Sequence, residues 1–233
     1  FDARERELDW DAGFNRVQLR AFGELPFIQD SFFLLSMRAD RTPRLTFATF
    51  QLPLGGGHFF NINAGSGALS NKLVLGTQKN LLLDRPFYLF TAFESGNGVT
   101  LEQNGPIIQG LLEYRYFVAG GAGNFNGNIG GRFFDNEDFN FTWGAGGQIG
   151  WFPIGRFDRW DTRFLYVPSS LGWSVYLGGR YDEKELERFP AGNLSTLFRW
   201  DRFLFTAEGW IKRELNFGAW QFSWNATAGV LVW

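Results

Sequence analysis

The chain has 233 residues, including 28 Phe, 10 Trp, 6 Tyr and 30 Gly, with no Cys, a single His and a formal net charge of -2. These figures exclude a disulfide framework, thiolate metal centres and Cys nucleophiles, and they leave His58 to carry any His-dependent triad alone. They also exclude the overall basic field that nucleic-acid binding draws on, and an aromatic share of 19% excludes a disordered chain.

The chain opens Phe1-Asp2-Ala3-Arg4-Glu5-Arg6-Glu7, without Met or an apolar leader, and reads as a processed or trimmed product. Residues 1–12 are expected to be a periplasmic or strand-like extension of a single domain spanning 1–233. No window approaches ~18 uncharged apolar residues, so no transmembrane helix is expected. From Arg16 onward the apolar residues recur at every second position. Val17, Leu19, Ala21, Gly23 and Leu25 oppose Arg16, Gln18, Arg20, Phe22 and Glu24. Weaker alternation predicts strands over 31–39, 44–52, 57–65, 71–79, 86–94, 123–134, 159–167 and 191–200, and Ser95-Gly96-Asn97-Gly98 reads as a hairpin turn. Tyr114, Tyr116 and Val118 oppose Glu113, Arg115 and Phe117.

The clearest strand runs from Phe139 to Trp151, with Phe139, Phe141, Trp143, Ala145, Gly147, Ile149 and Trp151 on one face and Asn, Thr, Gly and Gln on the other. Leu171 to Asp182 repeats the pattern, and Phe203, Phe205, Ala207, Gly209 and Ile211 follow it less cleanly. Helical spacing has one modest candidate, Asp182 to Phe189, whose charge run reads as a solvated loop. Backward from the C-terminus the breaks alternate in length: 214–219 long, 200–202 tight, 183–190 long, 168–170 tight, 153–158 long, 135–138 tight. Such sorting puts long and short connections at opposite ends of a sheet, as in outer-membrane barrels.

The apolar face is heavy in Phe, Trp and Tyr, whereas the opposite face carries Gly, Asn, Ser, Thr and Gln with scattered charges. A soluble sandwich such as a lectin would put Val, Ile and Leu inside and many charges outside. The pattern here suits a barrel with its apolar side outward. Phe139, Trp151, Trp173, Tyr181 and Trp233 are then interfacial aromatics flanking an apolar band of roughly 25 Å.

The chain ends Gln221-Phe222-Ser223-Trp224-Asn225-Ala226-Thr227-Ala228-Gly229-Val230-Leu231-Val232-Trp233. This segment resembles the terminal strand of Gram-negative outer-membrane β-barrels, which finish on Phe or Trp. The resemblance implies an all-β, transmembrane, antiparallel up-and-down barrel in the bacterial outer membrane. Its implied partners are outer-membrane lipid and lipopolysaccharide, the barrel-assembly machinery during biogenesis, and a protein partner or a homo-oligomer; nucleic acid is not among them. Val17 to Pro26 loosely resembles strand and turn phrases of phosphate-selective-type porins, so the porin-like members are favoured, with no substrate carried over. About 14 strands are expected, within a range of 12–16. If Trp233 and Leu231 face lipid, then Val232, Val230, Ala228, Ala226 and Trp224 face inward, which suits a plugged or dry seam.

Outer-membrane phospholipases and lipid A deacylases place a His two residues before a Ser; here Phe60 stands at that position after His58, so the nucleophile is missing and no enzyme, cofactor or metal site is expected. Gly55 to Gly57 lack the Lys-Ser/Thr of a phosphate loop and read as a turn. The inward bases are expected to be Arg16, Arg20, Arg38, Lys72, Arg115, Arg132, Arg159, Arg163, Arg180, Arg199 and Lys212, and the inward acids Glu24, Glu102, Glu113, Asp161, Asp182 and Glu208. Eleven minus six leaves five positive charges, which would favour anions unless the charges pair into ladders that brace the wall. The expected function is passive diffusion of small hydrophilic solutes, mildly favouring anions. The alternative is a closed barrel that anchors or docks other envelope proteins.

Overall fold

The structure, a computed structural model, describes residues 18–38, 44–64, 69, 99–120, 143–156, 168–183 and 188–232. They form eleven strands: β1 (Gln18–Gly23), β2 (Phe32–Arg38), β3 (Arg44–Gly55), β4 (His58–Ala64), β5 (Val99–Ile108), β6 (Leu112–Gly120), β7 (Trp143–Ile154), β8 (Ser169–Glu183), β9 (Arg188–Asp201), β10 (Phe203–Arg213) and β11 (Trp220–Val230). All lie in one sheet in chain order, each antiparallel to the next. The all-β, up-and-down reading therefore stands.

The count of about 14 does not. Eleven strands are described, because β4 pairs directly with β5, β6 with β7, and β7 with β8. The segments expected as strands at 71–79, 86–94, 123–134 and 159–167 lie outside the described residues. β5 is a strand that the periodicity reading left out, although Val99 and Leu101 alternate there with Thr100 and Glu102. The helical candidate at Asp182 to Phe189 is strand where it is described, with Asp182 and Glu183 closing β8 and Arg188 and Phe189 opening β9; residues 184–187 lie outside the described part. The hairpin signal at 95–98 also lies outside it.

The three tightest connections, 56–57, 109–111 and 202, share one end of the sheet, and the two longest, 65–98 and 121–142, share the other. Two features depart from that sorting: the breaks at 153–158 and 168–170 fall at the one interval between β7 and β8, at the tight end, and the β1–β2 connection at the same end, 24–31, is eight residues long. At the β3–β4 turn Gly55, Gly56 and Gly57 take φ of 87°, 62° and 81°, a left-handed path that side chains with a Cβ resist.

Cross-strand pairs fix which residues share a face. On β9, Phe189, Ala191, Asn193, Ser195, Leu197 and Arg199 are buried, while Leu194 and Trp200 between them are exposed. On β8, Ser174, Tyr176, Arg180 and Asp182 are buried, and Leu171 and Leu177 are exposed. All the described strands belong to this one sheet. The terminal strand obeys the same sorting, contrary to the expectation of an apolar inward seam. Ala226 and Ala228 pair with Ala207 and Phe205, and Trp224 and Val230 stand on that same exposed face at 78% and 63%. Ser223, Asn225 and Thr227 pair with Trp210, Glu208 and Thr206 on the other. The strand ends at Val230, so counting its phase back from Trp233, which lies outside the described residues, inverts it.

Small residues on the buried face make room for large neighbours. A Cβ on Gly146 would lie 2.7 Å from the Phe117 ring, 2.8 Å from the Gly179 carbonyl oxygen and 2.9 Å from Arg180 Cβ. Gly146→Val is expected to cost about 1–3 kcal/mol in chemical denaturation, since the backbone oxygen cannot move aside. Gly120→Ala, with open space around it, should change stability by less than about 0.5 kcal/mol. Glycine also appears on the exposed face, where Gly147, Gly179 and Gly192 stand side by side on three adjacent strands, so the sorting of glycines inward is incomplete.

Candidate functional site

The buried polar face is the feature of this molecule that a simple fold does not require. In most sheets the polar face meets water; here Thr100, Gln148, Ser174, Asp182, Asn193, Ser195, Glu208 and Lys212 are all buried. Taking such groups out of water is costly unless they are hydrogen-bonded, so their partners decide what the face can do.

Three clusters hold six of the buried polar residues, Asn61, Glu102, Arg180, Asp182, Glu208 and Lys212. In the first, Glu102 accepts from Asn61 Nδ2 at 3.2 Å and from Asn104 Nδ2 at 3.1 Å, and Arg115 Nη1 lies 3.5 Å from its other oxygen. In the second, the Arg180 guanidinium holds both oxygens of Asp182, and the guanidinium carbon stands 5.7 Å from the centroid of the Phe117 ring. Gly144 and Gly146 lie directly opposite this pair, where any side chain would strike it. In the third, Trp210 Nε1 donates to Glu208 Oε1 at 2.6 Å, and Lys212 Nζ sits 4.1 Å from the centroid of the Phe189 ring. Toward the tight-turn end Phe152, Tyr176 and Leu197 close the face as a small apolar cluster.

Leu69 adds a fourth contact from a distant part of the chain. It follows β4 by five residues, yet it is fully buried against β7 and β8: Gln148 Nε2 donates to its carbonyl at 3.1 Å, and a Cβ on Gly178 would meet its Cδ1 at 3.3 Å. At ~3.5 Å per extended residue the chain can cover roughly 17 Å from Ala64, about the separation of strands three or four places apart in a sheet. Leu69 thus lies over the buried polar face. Ser174 Oγ and Asn193 Oδ1, both on that face, have no hydrogen-bond partner among the described residues.

Of the residues expected to line a pore, Arg115, Arg180, Arg199 and Glu208 are on this face and largely buried, and Glu113 is half-buried with Arg156 Nη2 at 2.5 Å. Arg20 shares the face by its pairing with Ser36 but is exposed at the sheet edge. Arg38 lies at the end of β2, where its side chain is outside the described part, as are Arg16, Lys72, Arg132, Arg159, Arg163 and Asp161 altogether. Glu24 is exposed in the β1–β2 connection instead of inward. The described face therefore holds five bases, Arg20, Arg115, Arg180, Arg199 and Lys212, against four acids, Glu102, Glu113, Asp182 and Glu208. Six of the eleven bases behind the expected excess of five lie outside the described side chains; within the described face Arg115 and Arg180 pair with Glu102 and Asp182.

The exposed face is layered. Near one end Trp143 packs on Tyr181 at 5.2 Å and Trp220 on Phe222 at 6.3 Å; near the other Trp151 packs on Trp173 at 6.0 Å and Phe198 on Phe203 at 6.2 Å. Between these layers stand Ile149, Leu177 and Leu194. Polar atoms on this face are tied to one another: Trp173 Nε1 donates to Thr196 Oγ1, and that hydroxyl donates to the Ser174 carbonyl. His58 Nδ1 is 3.0 Å from Tyr114 Oη, over Gly105, so His58 belongs to this outer belt, with no nucleophile beside it among the described residues. Phe139, like Trp233, lies outside the described part.

Sequence reasoning missed Glu214, in the β10–β11 connection. Burial alone would raise its pKa, but the backbone amides of Phe217, Asn216 and Arg188, with the Lys212 charge, more than offset this and hold it below its ordinary value. A carboxyl with a depressed folded pKa contributes stability that is complete above the unfolded value and lost as pH falls through the folded one. Acidification below the ordinary carboxylate range, or Glu214→Ala at neutral pH, is therefore expected to speed amide exchange at Leu215 and Phe217 relative to intrinsic rates.

Comparison with protein-family models, with curated proteins and with solved structures gives no match in any of the three.

Proposed function

We propose that this sheet is the wall of a bacterial outer-membrane β-barrel whose interior is filled, and that the protein serves as an anchor or docking component of the envelope. The observation that carries this reading is the inverted burial: apolar residues such as Leu177 and Leu194 are 64% and 55% exposed while Asp182 and Ser174 between neighbouring strands are 0% exposed. Lipid against the exposed face resolves the inversion, since hydrocarbon accepts Leu and Ile and demands that polar atoms satisfy one another. Along β7, Trp143 to Trp151 spans roughly 26 Å at ~3.3 Å per residue, which at a tilt near 40° rises about 20 Å and puts the two rings toward the margins of an apolar band about 25 Å tall. The terminal strand, with Phe222, Trp224 and Val230 outward, suits recognition by the assembly machinery.

Closure of the wall is part of the proposal. With eleven strands, β1 and β11 run in the same direction, so they meet either as a parallel pair or through a further strand from the segments outside the described residues. Because the chain has no Cys, engineered Cys pairs across β1 and β11 would report the arrangement directly.

A filled interior is favoured over an open one by the depth of burial of Lys212, Glu208 and Arg180 and by Leu69 lying across the wall. The second reading, a channel for small hydrophilic solutes, is supported by Ser174 Oγ and Asn193 Oδ1, which water in a narrow path would satisfy. An anion preference would then rest on Arg16, Arg38, Arg132, Arg159 and Arg163. Neither reading involves catalysis. Purified protein in a planar bilayer separates them: the filled interior predicts no steady conductance, and stepwise conductance increments would favour the channel.

A further inference from the structure

The connection between β1 and β2, residues 24–31, is held more firmly than a turn requires. The Leu25 amide donates to Ser31 Oγ at 2.8 Å, that hydroxyl donates to the Ile28 carbonyl at 2.6 Å, and the Ile28 and Ser31 amides donate to the Leu25 and Ile28 carbonyls at 3.3 Å. Within this frame Phe27 and Asp30 take φ of 71° and 60°, in the left-handed region that side chains with a Cβ disfavour. The Phe27 ring is fully exposed, with Pro26 and Ile28 exposed beside it. Glycine stands at the positive-φ positions of two other turns at this end, Gly55 to Gly57 and Gly110, so a relaxed alternative is within the chain's own usage. Two unfavourable terms, a strained backbone and a bare ring, meet at Phe27, and among the described residues no side chain covers the ring.

The charges beside it narrow what receives the ring. Glu24 and Asp30 flank the tip, both exposed, and residues 21–31 contain no Lys or Arg. An anionic lipid surface repels such a tip, since membrane-surface segments attract by basic residues. An apolar pocket with a basic rim on a protein complements it. We infer that the β1–β2 connection is a docking knob, whose Phe27 ring enters an apolar, basic-rimmed pocket on another protein. This deepens the docking reading above and rests on it: the tight-turn end is then the periplasmic end, and the partner a periplasmic protein.

The test places the photoreactive residue benzoylphenylalanine at position 27 of the full chain in the cells it comes from. Irradiation should give one discrete protein adduct, reduced at least tenfold by Glu24→Lys with Asp30→Lys. The adducted protein, identified by mass and purified, should bind the purified chain, and Phe27→Gly should weaken binding at least tenfold while leaving the fold as stable or more so, because Gly relieves the backbone. Adducts to lipid alone, an adduct indifferent to the charge reversal, no adduct, or unchanged binding by Phe27→Gly would overturn the inference. Membrane fractionation of the same cells keeps the outcomes distinct, since recovery of the chain in the water-soluble fraction counts against the embedded barrel itself.

Discussion

Replacing Asp182 with Ala is expected to destabilise the fold by about 3–5 kcal/mol, because it removes from a buried ion pair the carboxylate that the Arg180 guanidinium grips by both of its oxygens. Both side chains are about 1% exposed, and neither can reach water without displacing the wall around it. The Phe117 ring lies beneath the guanidinium, and Gly144 and Gly146 opposite the pair carry no side chain. Arg180→Ala should cost a similar amount by stranding Asp182. The double replacement Arg180→Met with Asp182→Leu should recover most of that loss, since well-packed apolar residues commonly substitute for a buried ion pair. Urea titrations of the folded protein in lipid vesicles would give all three values. A loss below about 1 kcal/mol for Asp182→Ala, as for a solvated pair, would mean that the interior is wet at this point and would favour the channel.

Much of the sheet is legible in the sequence, and the residues show why. From Trp143 to Trp151, and from Leu171 to Asp182, side chains alternate so strongly that only one face can be apolar, and the structure keeps that sorting. β11 is equally regular, but its phase depends on where the strand stops. Leu231 leaves the ladder, its amide bonding the Arg202 carbonyl, so the aromatic terminus is no guide to which face Val230 takes. Pairing across long connections is less legible still. Nothing local in Ala64 or Val99 states that they are partners, because the ladder that joins β4 to β5 is chosen by the whole sheet.

The buried polar face was legible by type and not by arrangement. Alternation puts Arg180 and Asp182 two residues apart on one side of β8 without stating that they fork together, and the capture of Glu102 by Asn61 and Arg115 on adjacent strands needs the register. A count of charges by alternation does not say which of them pair, as Arg115 does with Glu102 and Arg180 with Asp182. Leu69 lay beyond any periodicity argument, since a lone apolar residue in a connection carries no sign that it turns inward. Phe27 and Glu214 depend on loop conformation, and neither has a spacing that would reveal it.

The second large effect follows from the outward face. Leu177 pairs with Ile149 and Leu194 midway between the aromatic layers, so on the membrane reading it meets hydrocarbon. An Arg there carries its charge into lipid, at a cost of roughly 2–4 kcal/mol near the midplane. The same substitution on a water-exposed strand would be close to neutral, within about 0.5 kcal/mol. The two environments thus predict different results from one side chain that touches nothing in the interior. The direct measurement is the folding free energy of Leu177→Arg in phospholipid vesicles, with Leu194→Arg beside it. The inverted barrel predicts a loss of about 2–4 kcal/mol at each position. A change within about 0.5 kcal/mol, in a chain that stays monodisperse in water without detergent, would contradict it.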